Sequence, residues 1–168
     1  MSSFLRSFFI GVVTVGAAAT AGAQSLPPGV QLGMSPAELQ AALPDAQRVA
    51  RPQRLAGGLA GTWRGASTAI AGLGFEPTFY FAGAQLRRVE WVADADAQPD
   101  RGAAAFDELL AWGRGRFGGE LASRDPGSRY AAWVAGDTDV YAQLVEGGRG
   151  ASVRLVYKAR QLKDASEL

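Results

Sequence analysis

Cysteine and histidine are both absent from this 168-residue chain, and each absence excludes some chemistry. Without thiols, the chain forms no disulfide, carries no lipid on an N-terminal cysteine and has no thiolate nucleophile. Without imidazole, it lacks the usual general base of serine and cysteine nucleophiles and the commonest ligand of transition metals. These absences exclude Ser-His-Asp hydrolysis, papain-like catalysis and ordinary zinc sites. We therefore predict a protein with no catalytic residue, no metal ion and no cofactor.

Net charge is also nearly lacking. The chain has 17 basic and 16 acidic residues, which leaves a formal charge of +1. A balance this even gives no large field to steer the protein toward nucleic acid or an anionic membrane. We therefore expect no nucleic-acid partner.

The first 23 residues have the pattern of a secretory signal peptide. Arg6 precedes an apolar run over residues 8–19, and the Ala-Gly-Ala sequence at 21–23 supplies the small residues of a cleavage site. The run is interrupted by glycine and threonine, and it is too short to cross a hydrocarbon core of about 30 Å. We predict cleavage before Gln24, a periplasmic or extracellular location, and no stable membrane anchor after cleavage.

The remaining chain, about 145 residues, has the usual size of one domain. A first helix is predicted after Ser35, because Ser35 can cap it, Pro36 fits its first turn and Glu38 can reach back to the Ser35 amide. Pro44 ends this helix. Strands are then predicted from β-rich, partly alternating sequence at 59–70, 75–82 and 86–93.

A second helix follows the acidic, proline-containing segment 94–100, which we predict to be the linker between two units of the chain. Its apolar residues have helical spacing: Phe106, Leu109, Leu110, Gly113 and Phe117. The pair of glycines at 118–119 ends the helix. Three more strands are predicted at 130–135, 138–146 and 152–159.

This order of elements predicts an α+β fold of two helix-then-three-strand units, with the helices packed on one face of an antiparallel sheet. The units cover about 30–95 and about 100–160 within a single domain at 24–160. Trp63 and Trp133 lie in the first predicted strand of each unit, which favours an internal duplication. The terminal segment 161–168, of mixed charge, is predicted to fray.

Residues 32–43, with the sequence LGMSPAELQAAL, resemble the Gly-Met-(Ser/Thr)-x-x-(Glu)-(Val/Leu) opening of the SmpA/OmlA type of small bacterial envelope domain. The two-unit layout is similar to the tandem arrangement of the β-lactamase inhibitor proteins, which are related in fold. The chain departs from the SmpA/OmlA lipoproteins in lacking the anchor cysteine, and from the inhibitors in lacking their cysteines. The resemblance implies an envelope protein that works by binding other proteins.

Three polar or amphipathic residues are candidate contacts for such a partner. Tyr80, Tyr141 and Arg154 are out of phase with the apolar stripes, so we expect them on the face of the sheet that carries no helix. We predict a non-catalytic protein-binding module of the bacterial envelope, of the accessory or inhibitor type. The sequence leaves open which envelope protein it binds, and whether contact is made through the sheet face or a sheet edge.

Two other functions remain open at this point. A small periplasmic hydrolase would use acidic residues, and Asp137 and Asp139 form the candidate pair. A binder of a small apolar ligand would enclose it between helix and sheet. The aspartates at 94, 96 and 100 have oxygen ligands for Ca²⁺, but they lack the glycine and the closing glutamate of an EF-hand, which favours a solvated loop.

Overall fold

The computed structural model describes residues 26–148 and 150–160. The predicted signal segment and the 161–168 tail therefore lie outside the described residues. Among the helices described, none has the length and apolar character needed to span a membrane.

Two α-helices and nine β-strands make up the described residues. The helices are α1 (Pro36–Ala42) and α2 (Ala103–Phe117), and one turn of 3-10 helix lies at Ala56–Gly58. The strands in chain order are β1 (Gln47–Arg54), β2 (Ala60–Arg64), β3 (Thr68–Ile70), β4 (Leu73–Ala82), β5 (Gln85–Asp94), β6 (Leu121–Asp125), β7 (Ser128–Ala135), β8 (Thr138–Gly147) and β9 (Gly150–Ala159).

All these strands belong to one antiparallel sheet. Its strand order is β1-β2-β4-β5-β9-β8-β7-β6. The short strand β3 is outside this order and pairs with β4. The strands that follow α1 meet the strands that follow α2 where β5 pairs with β9. Val89 lies opposite Tyr157 there, and Glu90 lies opposite Val156. This pairing joins the two parts of the chain into one continuous sheet.

The predicted fold of two helix-then-three-strand units is therefore wrong. Five strands follow α1, four follow α2, and all nine form one large sheet in which antiparallel strands outweigh the two helices. The error arises at β1 and β6, whose residues are mostly exposed. Because both strands lie at sheet edges, neither needs the apolar alternation by which a half-buried strand is recognised. The expected strand 59–70 is in fact two strands, β2 and β3.

The core lies between the sheet and the two helices. Leu39 of α1 and Phe106 of α2 belong to the same buried cluster as Phe79, Val89 and Leu155 of the sheet. We call this side of the sheet the helix face. Since side chains alternate along a strand, the residues between these apolar positions point to the other side, which we call the open face.

Local capping fixes where both helices begin. Ser35 Oγ accepts a hydrogen bond from the Glu38 amide at 3.3 Å, and Glu38 Oε2 accepts one from the Ser35 amide at 2.7 Å. The expected capping box is thus present. At α2, the Asp100 carboxylate accepts from the amides of Gly102 and Ala104. The segment expected to be a linker is held to β9, because the Ala151 amide donates to Asp96 Oδ1.

Candidate functional site

The open face carries rows of side chains that lie directly opposite one another across neighbouring strands. The central row runs from β4 to β7 through Tyr80, Arg88, Lys158, Asp139 and Val134. The next row runs in the same direction through Thr78, Glu90, Val156, Tyr141 and Ala132. Neighbours within a row are close enough for their side chains to interact. The open face is therefore a mixed surface of tyrosines and charged groups.

A three-residue ion cluster lies at the middle of this face. Arg88 donates to Glu90 Oε2 from Nη2 at 2.8 Å and from Nε at 3.1 Å, while Arg154 Nη1 lies 3.2 Å from Glu90 Oε1. Glu90 is only 5 % exposed, and it is the one charged residue of the described chain that is buried. Two guanidinium groups thus neutralise one buried carboxylate and leave one excess positive charge.

Tyrosine rings flank the cluster. The Arg88 guanidinium carbon lies 5.9 Å from the centre of the Tyr80 ring and 5.6 Å from that of Tyr141. The Tyr141 ring in turn lies 5.4 Å from the ring of Tyr130. These distances allow cation–π attraction between the guanidinium and the rings. Arg88 is consequently held by a carboxylate and by two rings at once.

The protonation states follow from this arrangement. Burial raises the pKa of Tyr80 and of Tyr141 above its ordinary value, and the nearby Glu90 carboxylate acts in the same direction. Burial acts to lower the pKa of Arg88, but attraction to Glu90 and Tyr141 outweighs it, so that pKa is raised. At neutral pH the rings therefore carry intact hydroxyl groups beside a charged guanidinium.

The structure brings the three predicted contact residues together. Tyr80 and Tyr141 stand on the two sides of Arg88, and Arg154 shares Glu90 with it. They differ in accessibility, because Tyr80 is 3 % exposed whereas Tyr141 and Arg154 are half-buried. Tyr80 is covered because its ring lies against Gly61 of β2 and its hydroxyl donates to Gln53 of β1 at 2.9 Å.

Sequence reasoning missed the centre of the site, Arg88 and Glu90. The signal was present in the alternation of β5, where these two residues alternate with the buried Val89 and Trp91. What the alternation could not reveal is that β5 pairs with β9, which brings Arg154 to Glu90. The pairing partner of a strand is a long-range property that its own sequence does not encode.

The acidic residues considered for catalysis or Ca²⁺ binding have other roles. Asp137 lies in the turn between β7 and β8, and Asp139 pairs with Arg160 at 3.6 Å. Asp94 Oδ1 accepts from the Asp96 amide, and Asp100 caps α2. Over residues 26–148 and 150–160, no three acidic side chains converge where they could hold a metal ion. The candidate site is therefore the Tyr-Arg-Glu cluster of the open face.

The chain was compared with protein-family models, with curated proteins and with solved structures, and none of the three comparisons gave a match. The resemblance to SmpA/OmlA domains and to β-lactamase inhibitor proteins therefore remains a prediction from the sequence.

Proposed function

We propose that this protein is an exported, non-catalytic protein-binding module of the bacterial envelope, of the accessory or inhibitor type, and that its partner binds the open face. The observation that carries the proposal is the ordered array of Arg88, Glu90, Arg154, Tyr141 and Tyr130 on the side of the sheet away from both helices. Tyrosine and arginine dominate the energetic hot spots of protein interfaces. Their large rings and planar guanidinium groups supply contact area and hydrogen bonds together.

The internal contacts of the array support binding further. Arg88 is held by Glu90 and by two rings, so little side-chain freedom remains to be lost when a partner arrives. Glu90 and Tyr80 are buried and keep Arg88 in place. Tyr130, Tyr141 and Arg154 are partly accessible and supply the contact surface.

The array is less suited to hydrolysis. A general acid or base needs a carboxylate that is free to exchange a proton with a substrate. Glu90 is engaged by two guanidinium groups, and Asp139 is engaged by Arg160. Binding therefore accounts for the geometry of these residues better than acid–base catalysis.

Site-specific photo-cross-linking tests the proposal. A photoreactive phenylalanine analogue is placed at Ala132, which neighbours Tyr141 on the open face, and at Ala104, an exposed position on α2, as the matched control. In envelope extracts we expect one adduct of defined mass from position 132 and none from position 104. The adduct should disappear when Tyr141→Ala is added.

Two outcomes contradict the proposal. One is cross-linking that is equal at positions 132 and 104, or that does not respond to Tyr141→Ala. The other is turnover of an ester or glycoside panel by the purified protein that is lost in Asp137→Ala. The same preparation tests export, because N-terminal sequencing of protein from the periplasm or medium should begin at Gln24.

A further inference from the structure

One end of β7 is left unpaired at the sheet edge. The pairing of β6 with β7 ends where Leu121 lies opposite Ala132, whereas β7 continues to Ala135 and stays paired with β8 to that point. Within the described residues, Trp133–Ala135 therefore have a strand neighbour on one side only. Unpaired strand backbone of this kind is a template on which another chain can add a strand.

The chain before β6 does not fill this gap. The indole Nε1 of Trp133, on the helix face, donates to the carbonyl of Gly118 at 3.1 Å, so the loop after α2 turns toward that face. Among the described backbone hydrogen bonds, none joins this loop to Trp133–Ala135. The edge thus stays accessible although a loop passes nearby.

The two most exposed large apolar side chains of the described residues lie at this edge. Leu121 is 78 % exposed and Val134 is 53 % exposed. Both line one cavity of about 620 Å³, which we call the edge pocket. Phe117 and Trp133 line it as well, as do the Tyr130 and Tyr141 rings of the open face. Exposed apolar side chains gathered around a cavity are typical of an interaction site.

A positively charged side chain also lines the edge pocket. Lys158 lines it and lies opposite Arg88 on β5 and Asp139 on β8. Arg88 is engaged by Glu90, and Asp139 by Arg160. In the described part of the chain, Lys158 makes no ion pair of its own, and it is the only basic side chain of the edge pocket, which Asp139 also lines. Because the Asp139 carboxylate is paired with Arg160, Lys158 remains available to a carboxylate that a ligand brings.

We propose that the edge pocket binds an extended, acidic segment of the partner protein, which adds as a strand to Trp133–Ala135. An apolar side chain of that segment sits between Leu121 and Val134, and a carboxylate pairs with Lys158. The inference rests on the proposed function, since the pocket shares Tyr130 and Tyr141 with the open face. Beyond that function, we infer that the partner segment is extended and acidic, and that it pairs with the backbone of Trp133–Ala135.

Binding of two short acetylated peptides to the protein lacking residues 1–23 tests this inference. One peptide alternates valine and threonine around a single glutamate, and the other has lysine in place of the glutamate. We expect the glutamate peptide to shift the backbone amide resonances of Trp133–Ala135 and to slow their hydrogen exchange. Lys158→Glu should lower the affinity for the glutamate peptide about tenfold or more and raise the affinity for the lysine peptide. The matched control is Lys158→Gln, which should lower the affinity for the glutamate peptide without raising the affinity for the lysine peptide.

Several results would overturn the inference. These are equal binding of both peptides, shifts that map to the β1 edge instead, or shifts confined to side chains without amide protection. A dimer that dissociates in Val134→Asp would assign the edge to a second copy, and tighter peptide binding after removal of 161–168 would assign it to the tail. If position 132 still cross-links a Tyr141-dependent partner while both peptides fail, the proposed function stands and this inference is wrong.

Discussion

Val89 and Glu90 are neighbours in β5 and both are buried, but they are buried in different ways. Val89 is fully buried on the helix face, among apolar side chains from the sheet and both helices. Glu90 is 5 % exposed on the open face, where side chains of the same face cover it. Side chains of the open face therefore bury one another without help from a helix. Its order depends on one ion cluster, whereas the order of the helix face depends on an apolar layer.

The largest effect is expected on the helix face. Phe79 is fully buried and lies opposite Val89, so Phe79→Ala removes a ring from the middle of the apolar layer. We expect a loss of about 3–5 kcal/mol in the free energy of unfolding, measured by urea titration. Val134→Ala, at an exposed site on the open face, should change stability by no more than about 0.5 kcal/mol. Similar losses in the two variants would contradict the comparison.

On the open face, the buried carboxylate should matter most. Glu90→Ala leaves Arg88, whose side chain is 13 % exposed, and Arg154, which is 34 % exposed, without their shared partner. We expect a loss of about 2–3 kcal/mol, which is below the roughly 3–5 kcal/mol typical for breaking a fully buried pair, because Arg154 remains partly solvated. Tyr141 should also become more mobile, which can be followed by the resonances of its ring.

The control for Glu90→Ala is an exposed ion pair on the same face. Arg64 and Glu76 are 3.5 Å apart and both more than half exposed, so Arg64→Ala should cost at most about 1 kcal/mol. If Glu90→Ala is no more harmful than Arg64→Ala, the cluster does not order the open face. A triple change of Arg88, Glu90 and Arg154 to leucine sharpens this test, because it should restore stability while removing the cross-link at Ala132.

A smaller effect is expected where α2 meets the helix face. Gly113 is buried, and a Cβ at this position would overlap the indole ring of Trp133. Gly113→Ala should therefore cost about 1–3 kcal/mol in urea unfolding, despite the better helix propensity of alanine. Gly115 lies in the same helix with open space around it, so Gly115→Ala should stabilise by about 1 kcal/mol or less. The two variants must differ in sign if close approach of α2 to the sheet is what requires Gly113.

The sequence was a good guide where local interactions decide the structure. The capping box of Ser35 and Glu38 and the apolar stripe of α2 depend on residues a few positions apart, and both are present. The strands predicted at 75–82, 86–93, 138–146 and 152–159 correspond to β4, β5, β8 and β9, each of which has a buried face. Their apolar and polar residues alternate because one face of each strand is buried, so the pattern predicted these strands correctly.

The sequence was a poor guide where the structure depends on strand order. The edge strands β1 and β6 lack a buried face, so their sequences do not alternate between apolar and polar residues. Tyr80 was expected to be exposed from its phase alone, but Gly61 on β2 leaves room for its ring and Gln53 on β1 binds its hydroxyl. The ion cluster depends on the pairing of β5 with β9, which no local pattern specifies.

The smallest expected effect compares one tyrosine from each face at alkaline pH. Burial raises the pKa of Tyr157 on the helix face strongly, and it raises the pKa of Tyr141 on the open face, where Arg88 opposes the shift. A phenol whose pKa is higher in the folded state than in the unfolded chain stabilises the fold below about pH 10. That contribution is lost as pH rises through the folded pKa. Stability should therefore begin to fall at about pH 10, the ordinary pKa of the phenol, and continue to fall as the pH rises toward the raised pKa of the folded state.

Single phenylalanine variants assign this alkaline loss to a face. Tyr157→Phe should reduce the loss more than Tyr141→Phe, because burial shifts the Tyr157 pKa further upward, whereas at Tyr141 the nearby Arg88 guanidinium opposes the shift. Urea unfolding at several pH values and the phenolate absorbance of the folded protein provide the two measurements. If all four tyrosines ionise together near their ordinary pKa of about 10, the rings on both faces are solvated. The side chains of the open face would then not bury one another, and the proposed difference between the two faces would be wrong.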